Sequence, residues 1–372
     1  MRNMFDVVVV GGGQAGLAVG YELAQRGLRF VILDAAHTIG QVWRDRYDSL
    51  TLFTPTQYSN LPGMPFPKPY DTYPTKDEVV AYLEQYVAAF QLPVQLQTRI
   101  TAAYQKGSGF SVETDTEIYQ TQAVIVATGP FQQPFTPPFA IDIAPTVVQM
   151  HSSAYRNPGQ LPSGAVLVVG AGNSGAQIAV ELADERDVTL AVGKRPPTLP
   201  QRVLGRDIFW WLHRLGIMNV SADSALGRRM RRLDPLIGTD LDRLARERRV
   251  RLVGRALGAS GATVHFTAGQ AVEVTSIIWA TGFRADYRWI RVPVLDQHGM
   301  PIHQRGVTKV PGLYFVGLPW LHRRASALLG GVGSDAAFLT AHVAMLIDNM
   351  RRRERSESGE HHADVQPTQE RI

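Results

Sequence analysis

Two short stretches of unbroken apolar residues stand out along the chain: Val7-Val8-Val9-Val10 and, far downstream, Ala165-Val166-Leu167-Val168-Val169. Such runs, without polar alternation, predict strands buried on both faces, as a parallel sheet requires. Each run enters a glycine-rich turn and then a segment with helical spacing of apolar positions, Leu17 to Arg26 and Ala176 to Ala183. Gly27 stops the first helix as a C-terminal glycine does. An apolar strand follows each helix, Phe30 to Leu33 and Val188 to Val192. Farther on, Arg99 to Tyr104, Gly109 to Thr114 and Glu117 to Thr121 alternate as a meander, turning first at Lys106-Gly107-Ser108-Gly109. A second meander turns at Gly258 to Gly261. Buried strands Ala123 to Ala127 and Ser276 to Ala280 close the two units, running into Thr128-Gly129 and Thr281-Gly282.

The same order of elements thus occurs twice at nearly the same spacing. The first turn reads Gly11-Gly12-Gly13-Gln14-Ala15-Gly16 and the second Gly170-Ala171-Gly172-Asn173-Ser174-Gly175. Between a strand and a helix, the first glycine permits the tight turn and the second lets backbone approach a pyrophosphate. The third lets helix and strand pack closely, and the helix N-terminus offers free N–H groups to phosphate oxygens. The fold class expected is α/β: two Rossmann-like, three-layer dinucleotide-binding domains, each with a β-meander. The residue closing each second strand separates the ligands. Asp34 accepts hydrogen bonds from ribose hydroxyls and repels a 2′-phosphate. The matching position downstream is Gly193, followed by Lys194 and Arg195, which can neutralise a 2′-phosphate or lie on the surface for no ligand's sake. FAD is expected on the first fold and NADPH on the second.

Composition narrows the chemistry. The 372 residues include no cysteine, which removes disulfides, thiolate metal sites and redox dithiols, so electrons must come from a bound cofactor. A net charge of +5 resides partly in Arg228, Arg229, Arg231 and Arg232 and in Arg246, Arg248, Arg249 and Arg251. These read as solvated helix faces, since no nucleic-acid module accompanies them. No signal peptide is expected, and no apolar run approaches the roughly 18 to 20 residues that span a bilayer, so the expected location is cytoplasmic. No metal site is expected, and the adjacent His361 and His362 read as solvated tail. The last residues, 351–372, are charged and aperiodic and are expected to be disordered.

Further motifs carry a resemblance: Gly40-Gln41-Val42-Trp43, Ser59-Asn60-Leu61-Pro62, His151-Ser152-Ser153-Ala154-Tyr155-Arg156, Ala280-Thr281-Gly282-Phe283 and Pro311-Gly312-Leu313-Tyr314-Phe315-Val316-Gly317. With the two glycine turns, they make residues 5 to 345 resemble the flavin-containing monooxygenases (class B flavoprotein monooxygenases), nearest the small bacterial CzcO-type and plant YUCCA-type members. One departure is plain: the family's Phe-x-Gly-x-x-x-His fingerprint begins here with Pro145 and Val147, while its second half stands as His151, Tyr155 and Arg156. That ending resembles the amine- and sulfur-oxidising branch more than the Baeyer–Villiger branch.

The resemblance implies that Asn60 lies near the isoalloxazine and helps hold NADP⁺ and the oxygenated flavin; capping a loop before Pro62 is its other reading. It places Gln41 and Trp43 beside FAD, with ordinary core packing open for Trp43. It places Ala127-Thr128-Gly129 and Ala280-Thr281-Gly282 at close-approach crossovers. Gly317 and Gly333 fall on the segment facing the flavin, Gly333 at the start of the last helix. It implies an NADPH:O₂ monooxygenase that passes one oxygen atom, through a flavin C4a-(hydro)peroxide, to a small sulfide or amine, or to a ketone in a Baeyer–Villiger reaction. An NADPH-dependent flavin oxidase or reductase and a non-enzymatic flavin redox sensor share both glycine turns and stay open. The FAD domain is expected over 1–158 and 283–350, with the NADPH domain, 159–282, inserted. Within that insert, Gly205 to Val220, with Phe209, Trp210 and Trp211, reads as core. A substrate entrance or a homodimer contact are its other uses.

Overall fold

The computed structural model describes residues 4–233, 235–247 and 250–363. The first apolar run becomes β1 (Met4–Val10), which leads through the glycine turn into α1 (Gln14–Gln25) and β2 (Phe30–Leu33). A short α2 (Gln41–Arg44) follows, then α3 (Lys76–Ala89), whose first turn is fixed by a reciprocal capping box between Thr75 and Glu78. Next come β3 (Val94–Gln95) and the meander of β4 (Ile100–Lys106), β5 (Gly109–Thr114) and β6 (Ile118–Val126). The third meander strand and the closing strand, read separately from the sequence, are one continuous strand. Its outer half pairs antiparallel with β5 and its inner half parallel with β1.

This first sheet has nine strands: β6 and β1 lie at its centre, β2 and β3 run to one edge, and residues 303–304, 307–308 and 313–315 extend it beyond β6. Strands from both ends of the chain therefore share one sheet. Alternate side chains of β1 enter opposite layers. Val7 and Val9 pack with Leu17, Leu83 and Leu339 from the helices, whereas Val8 and Val10 meet Phe110, Val112 and Tyr287 on the meander side. Two-sided burial is why the run carries no polar residue.

The second sheet repeats the arrangement between the two crossovers. A two-residue β7 (Gln133–Pro134) pairs antiparallel with Phe283–Arg284, bringing the outgoing and returning links together. Then follow β8 (Val148–His151), β9 (Val166–Val169), α4 (Asn173–Leu182) and β10 (Val188–Ala191). Five strands lie in the order 250–253, β10, β9, 276–279, β8, all parallel. Val166 and Val168 face α4; Leu167 and Val169 face the three-stranded ribbon of 256–260, 263–266 and 271–273. Here the expected boundary at residue 158 is corrected: it places β8 in the first unit, whereas β8 forms the edge of the second sheet, registered against Ser276–Trp279. Its four residues carry a mixed pattern because an edge strand is buried on one side only.

Between β10 and the 250–253 strand lie α5 (Ile208–Arg214), α6 (Ala225–Arg231) and α7 (Leu241–Arg246). Phe209 is buried with Ile208, Leu212 and Met218, whereas Trp210 and Trp211 are half-exposed. This insert packs on the first unit: Asp207 caps α5, accepts a 2.6 Å hydrogen bond from Tyr73 Oη, and receives Gln201 Nε2 at 2.7 Å.

The last helix, α8, runs Val332–Ala363. The expectation of disorder from 351 is therefore corrected for 351–363, which continue the helix with Arg351 Nη2 bonded to both carboxylate oxygens of Asp6 at 2.8 and 2.9 Å. A solvated helical extension needs no apolar stripe, so composition alone misread it. Residues 364–372, like Arg248 and Arg249, lie outside the described residues. Among the described residues no helix is long and apolar enough to cross a membrane.

Candidate cofactor and active site

Both glycine turns have the same backbone geometry. Gly11 has φ +108° and Gly170 φ +109°, in the half of conformational space that side chains avoid. A Cβ on Gly11 would stand 2.7 Å from Ala127 O, and one on Gly170 would stand 2.3 Å from Ala280 O. The third glycines are tighter: a Cβ on Gly16 would lie 1.8 Å from Gly11 O, and one on Gly175 1.9 Å from Gly170 O. The middle glycines differ. Gly13 and Gly172 cap α1 and α4 without any side-chain hydrogen bond, and a Cβ on either would meet nothing within 4 Å. Each helix thus presents uncapped N–H groups, Gln14-Ala15-Gly16 and Asn173-Ser174-Gly175, to open space. That is the donor set and clearance a diphosphate needs, so the residues fit a dinucleotide at each turn.

Asp34 sits at the first turn with its carboxylate held. Oδ2 accepts from Gly12 N at 2.5 Å and Oδ1 from Ala36 N at 2.8 Å. At the second turn, Lys194 Nζ donates to Arg232 O at 3.1 Å, and the Arg195 guanidinium pairs with Asp242. Both cations are exposed. A third cation, Arg255, was missed: a Cβ on Gly193 would come 3.4 Å from its Nε. Its signal was its place just past a parallel strand's end, where ligands of such sheets sit.

The crossovers are bound together. Gln132 Nε2 donates to Thr128 Oγ1 at 3.0 Å and to Gly129 O at 2.8 Å, while Thr281 Oγ1 donates to Phe135 O. His151 spans them. Ser153 N donates to its Nδ1 at 3.1 Å, so Nε2 carries the proton and donates to Gly282 O at 2.9 Å. Burial holds the His151 pKa below its usual value, opposed in part by the Gly282 bond. Arg156 donates to Asp45 O at 2.6 Å and pairs with its carboxylate at 3.3 Å. Tyr155, fully buried, donates to Glu181 of α4 at 2.9 Å. These three fingerprint residues fasten the linker between the units.

The C-terminal segment closes over α1. Gln14 Nε2 donates to Ala327 O at 2.9 Å, and a Cβ on Gly317 would fall 2.6 Å from Ala15 Cβ. The start of α8 lies against the 58–62 loop: a Cβ on Gly333 would be 2.6 Å from Pro62, and one on Gly330 2.0 Å from Tyr58 O. Asn60 is in that loop, its Oδ1 accepting from Phe66 N at 2.8 Å and its Nδ2 donating to Gln57 O at 3.3 Å. Its amide therefore braces the loop. Gln41 is held by Thr38 and Asp45 at 2.9 and 3.0 Å, and Trp43 is half-buried against the helical core. A small recess adjoins, lined by Thr54, Tyr58, Phe209, His213, Met218 and Leu328, with the Tyr58 and His213 rings stacked at 4.2 Å. Burial lowers the His213 pKa, and Arg323 adds to that. Sequence reading missed the Tyr58–His213 pair, because nothing local joins residues from different units.

Comparison with known proteins agrees with this geometry. A family model described as pyridine nucleotide-disulphide oxidoreductase matches residues 8–202. A protein of Geobacillus kaustophilus (strain HTA426) named an uncharacterized CzcO-like oxidoreductase is 49% identical, over 91% of this chain and 98% of its own. A flavin-containing monooxygenase from Stenotrophomonas maltophilia superposes with a TM-score of 0.78 at 30% identity, covering 92% of this chain and 99% of that one. Indole-3-pyruvate monooxygenase YUCCA1 of Oryza sativa subsp. japonica is 29% identical over 83% of this chain and 86% of its own. Without cysteine, the disulphide chemistry in the family's description has no residue here to carry it. From the family match over more than half its length and the relatives that span it, the chain belongs to the pyridine nucleotide-disulphide oxidoreductases, on the branch of flavin monooxygenases and CzcO-like oxidoreductases.

Proposed function

We propose that the protein is an FAD-dependent, NADPH-using monooxygenase that transfers one oxygen atom from O₂ to a small soft nucleophile, a thioether or an amine. One observation carries the reading. Two glycine turns of the same geometry meet opposite charge, the Asp34 carboxylate at the first and Lys194, Arg195 and Arg255 around the second. A fixed carboxylate favours ribose hydroxyls, whereas clustered cations favour a 2′-phosphate. The FAD unit is then 1–158 and 283–350, less the edge strand β8, and the NADPH unit is 159–282 with that strand.

Bound FAD, reduced by the nicotinamide nucleotide, supplies the oxygen chemistry. The chain binds, aims and shields. The turns at Gly11–Gly16 and Gly170–Gly175 hold the diphosphates at helix N-termini. Gln14 and Gly317 seat the C-terminal segment on α1, and His151 ties β8 to the second crossover at Gly282. We assign Asn60, on the loop braced against α8, to hydrogen bonding at the flavin's edge, with Gln41, Trp43 and Gly333 around the ring. The start of α8 would offer positive potential to a bound flavin.

The test is direct. The purified protein should be yellow, and anaerobic NADPH should bleach it faster than NADH does. With oxygen and methyl phenyl sulfide, sulfoxide should form in step with NADPH consumed. Hydrogen peroxide matching NADPH across a broad panel of thioethers, amines and ketones would leave an oxidase instead.

A further inference from the structure

Arg46 belongs to the first unit, just past α2, yet its position is set by the second. Its neighbour Tyr47 is buried against α4, its hydroxyl donating to Gln177 and hydrogen-bonded with Ser174 of the helix's first turn. Residue 46 is thereby carried to the rim of the second glycine turn. There its guanidinium lies over two rings, Phe131 at 5.2 Å and Phe283 at 5.4 Å, each just past a crossover glycine. The rings meet edge to face at 5.4 Å, and Phe283 also contacts His151.

The charged groups around Arg46 form no ion pair with it. Asp45 attracts it electrostatically but is itself engaged by Gln41 and Arg156, Arg156 repels it, and burial holds the His151 pKa down. Among the described residues the Arg46 guanidinium forms no hydrogen bond and no ion pair. A half-buried guanidinium that rests over two aromatic rings, with its donors taken by no side chain or carbonyl, is open to an anion. Facing the same rim are the uncapped N–H groups of α4 and the open space above Gly172 and Gly282.

We infer that Arg46 is a binding residue for the diphosphate of the dinucleotide on the second fold, supplied across the interface from the first. The nucleotide then bridges both units, with α4 donating from one side and the guanidinium fork from the other. This rests on the reading of the second turn as a dinucleotide site.

Calorimetric titration of the flavin-loaded protein tests it, using NADP⁺ and 2′-AMP, which lacks the diphosphate. Arg46→Gln should raise the Kd for NADP⁺ about 10- to 100-fold, the worth of a charge-assisted hydrogen-bonded pair. The Kd for 2′-AMP and the FAD content should stay at wild-type values, and Arg46→Lys should recover only part of the loss, lacking the planar fork. Unchanged NADP⁺ affinity in Arg46→Gln would overturn the inference. So would equal losses for NADP⁺ and 2′-AMP, which mark a disturbed domain, or loss of FAD alone, which gives the guanidinium to the other nucleotide. A wild-type protein that binds neither NADP⁺ nor 2′-AMP would instead sink the underlying reading.

Discussion

Replacing Gly172 with Ala separates binding from folding at the second turn. Gly172 has φ −75° and ψ 178°, extended backbone that alanine adopts freely, and the added methyl meets nothing within 4 Å. Two small terms then oppose each other. Alanine narrows the unfolded ensemble, which stabilises by about 0.4–1 kcal/mol. Alanine is also the poorer N-cap, which costs about 0.5–1 kcal/mol. The net change should stay within about 0.5 kcal/mol. For a ligand the methyl is decisive, because it occupies the space where a phosphate must approach the N–H groups of α4. Loss of one charge-assisted hydrogen bond, about 1.5–3 kcal/mol, should weaken NADP⁺ about 10- to 100-fold. Gly175→Ala gives the contrast, since its methyl would lie 1.9 Å from Gly170 O and force helix and strand apart. It should lose about 1–3 kcal/mol of stability as well as binding. Thermal unfolding with NADP⁺ calorimetry on the two variants decides the matter. Wild-type affinity in Gly172→Ala, or equal destabilisation of both variants, refutes the reasoning.

Other outcomes follow from the same geometry. Asp34→Ala should lower the flavin-to-protein absorbance ratio, because Gly12 and Ala36 lose their acceptor, costing about 1–3 kcal/mol at the turn; NADP⁺ binding by the apoprotein should persist. Lys194→Gln with Arg195→Gln should raise the KM for NADPH by about tenfold or more while leaving that for NADH within about twofold, the loss of a phosphate pair worth about 1.5–3 kcal/mol. For His151 the linkage sign is set by its lowered pKa: the unfolded chain takes up the proton first. Its contribution is fully present above the unfolded value of about 6.5 and is lost as pH falls through the lowered folded value. Because His213, His303 and His322 are lowered too, the measurement is the difference between wild type and His151→Gln in denaturant midpoint from pH 8 to about pH 5. That difference should shrink towards the acid end.

Local sterics and local burial made much of the molecule legible. The runs at Val7–Val10 and Val166–Val169 announced strands covered on both faces, and the glycines announced the turns, because a helix returning past its own strand leaves no room for Cβ whatever the rest of the chain does. The helices begin earlier than apolar spacing implied, at Gln14 and Asn173, since the capping glycine, not the first apolar residue, ends the turn. The contrast between Asp34 and Lys194-Arg195 was likewise written in the chain.

What depended on distant partners was not. The strand β8 took its place only because Ser276–Trp279 leaves a parallel edge for it, and its own mixed residues could not say which sheet would receive it. Tyr47 and the Tyr58–His213 stack acquire meaning from residues in another unit, and Arg46 and Arg255 from residues far along the chain. A side chain's neighbours within a turn are dictated by covalent geometry; its neighbours across two domains are chosen by how whole layers pack. The sequence by itself therefore determined two nucleotide folds and the charge each offers. Only the tertiary structure decided which side chains stand between them.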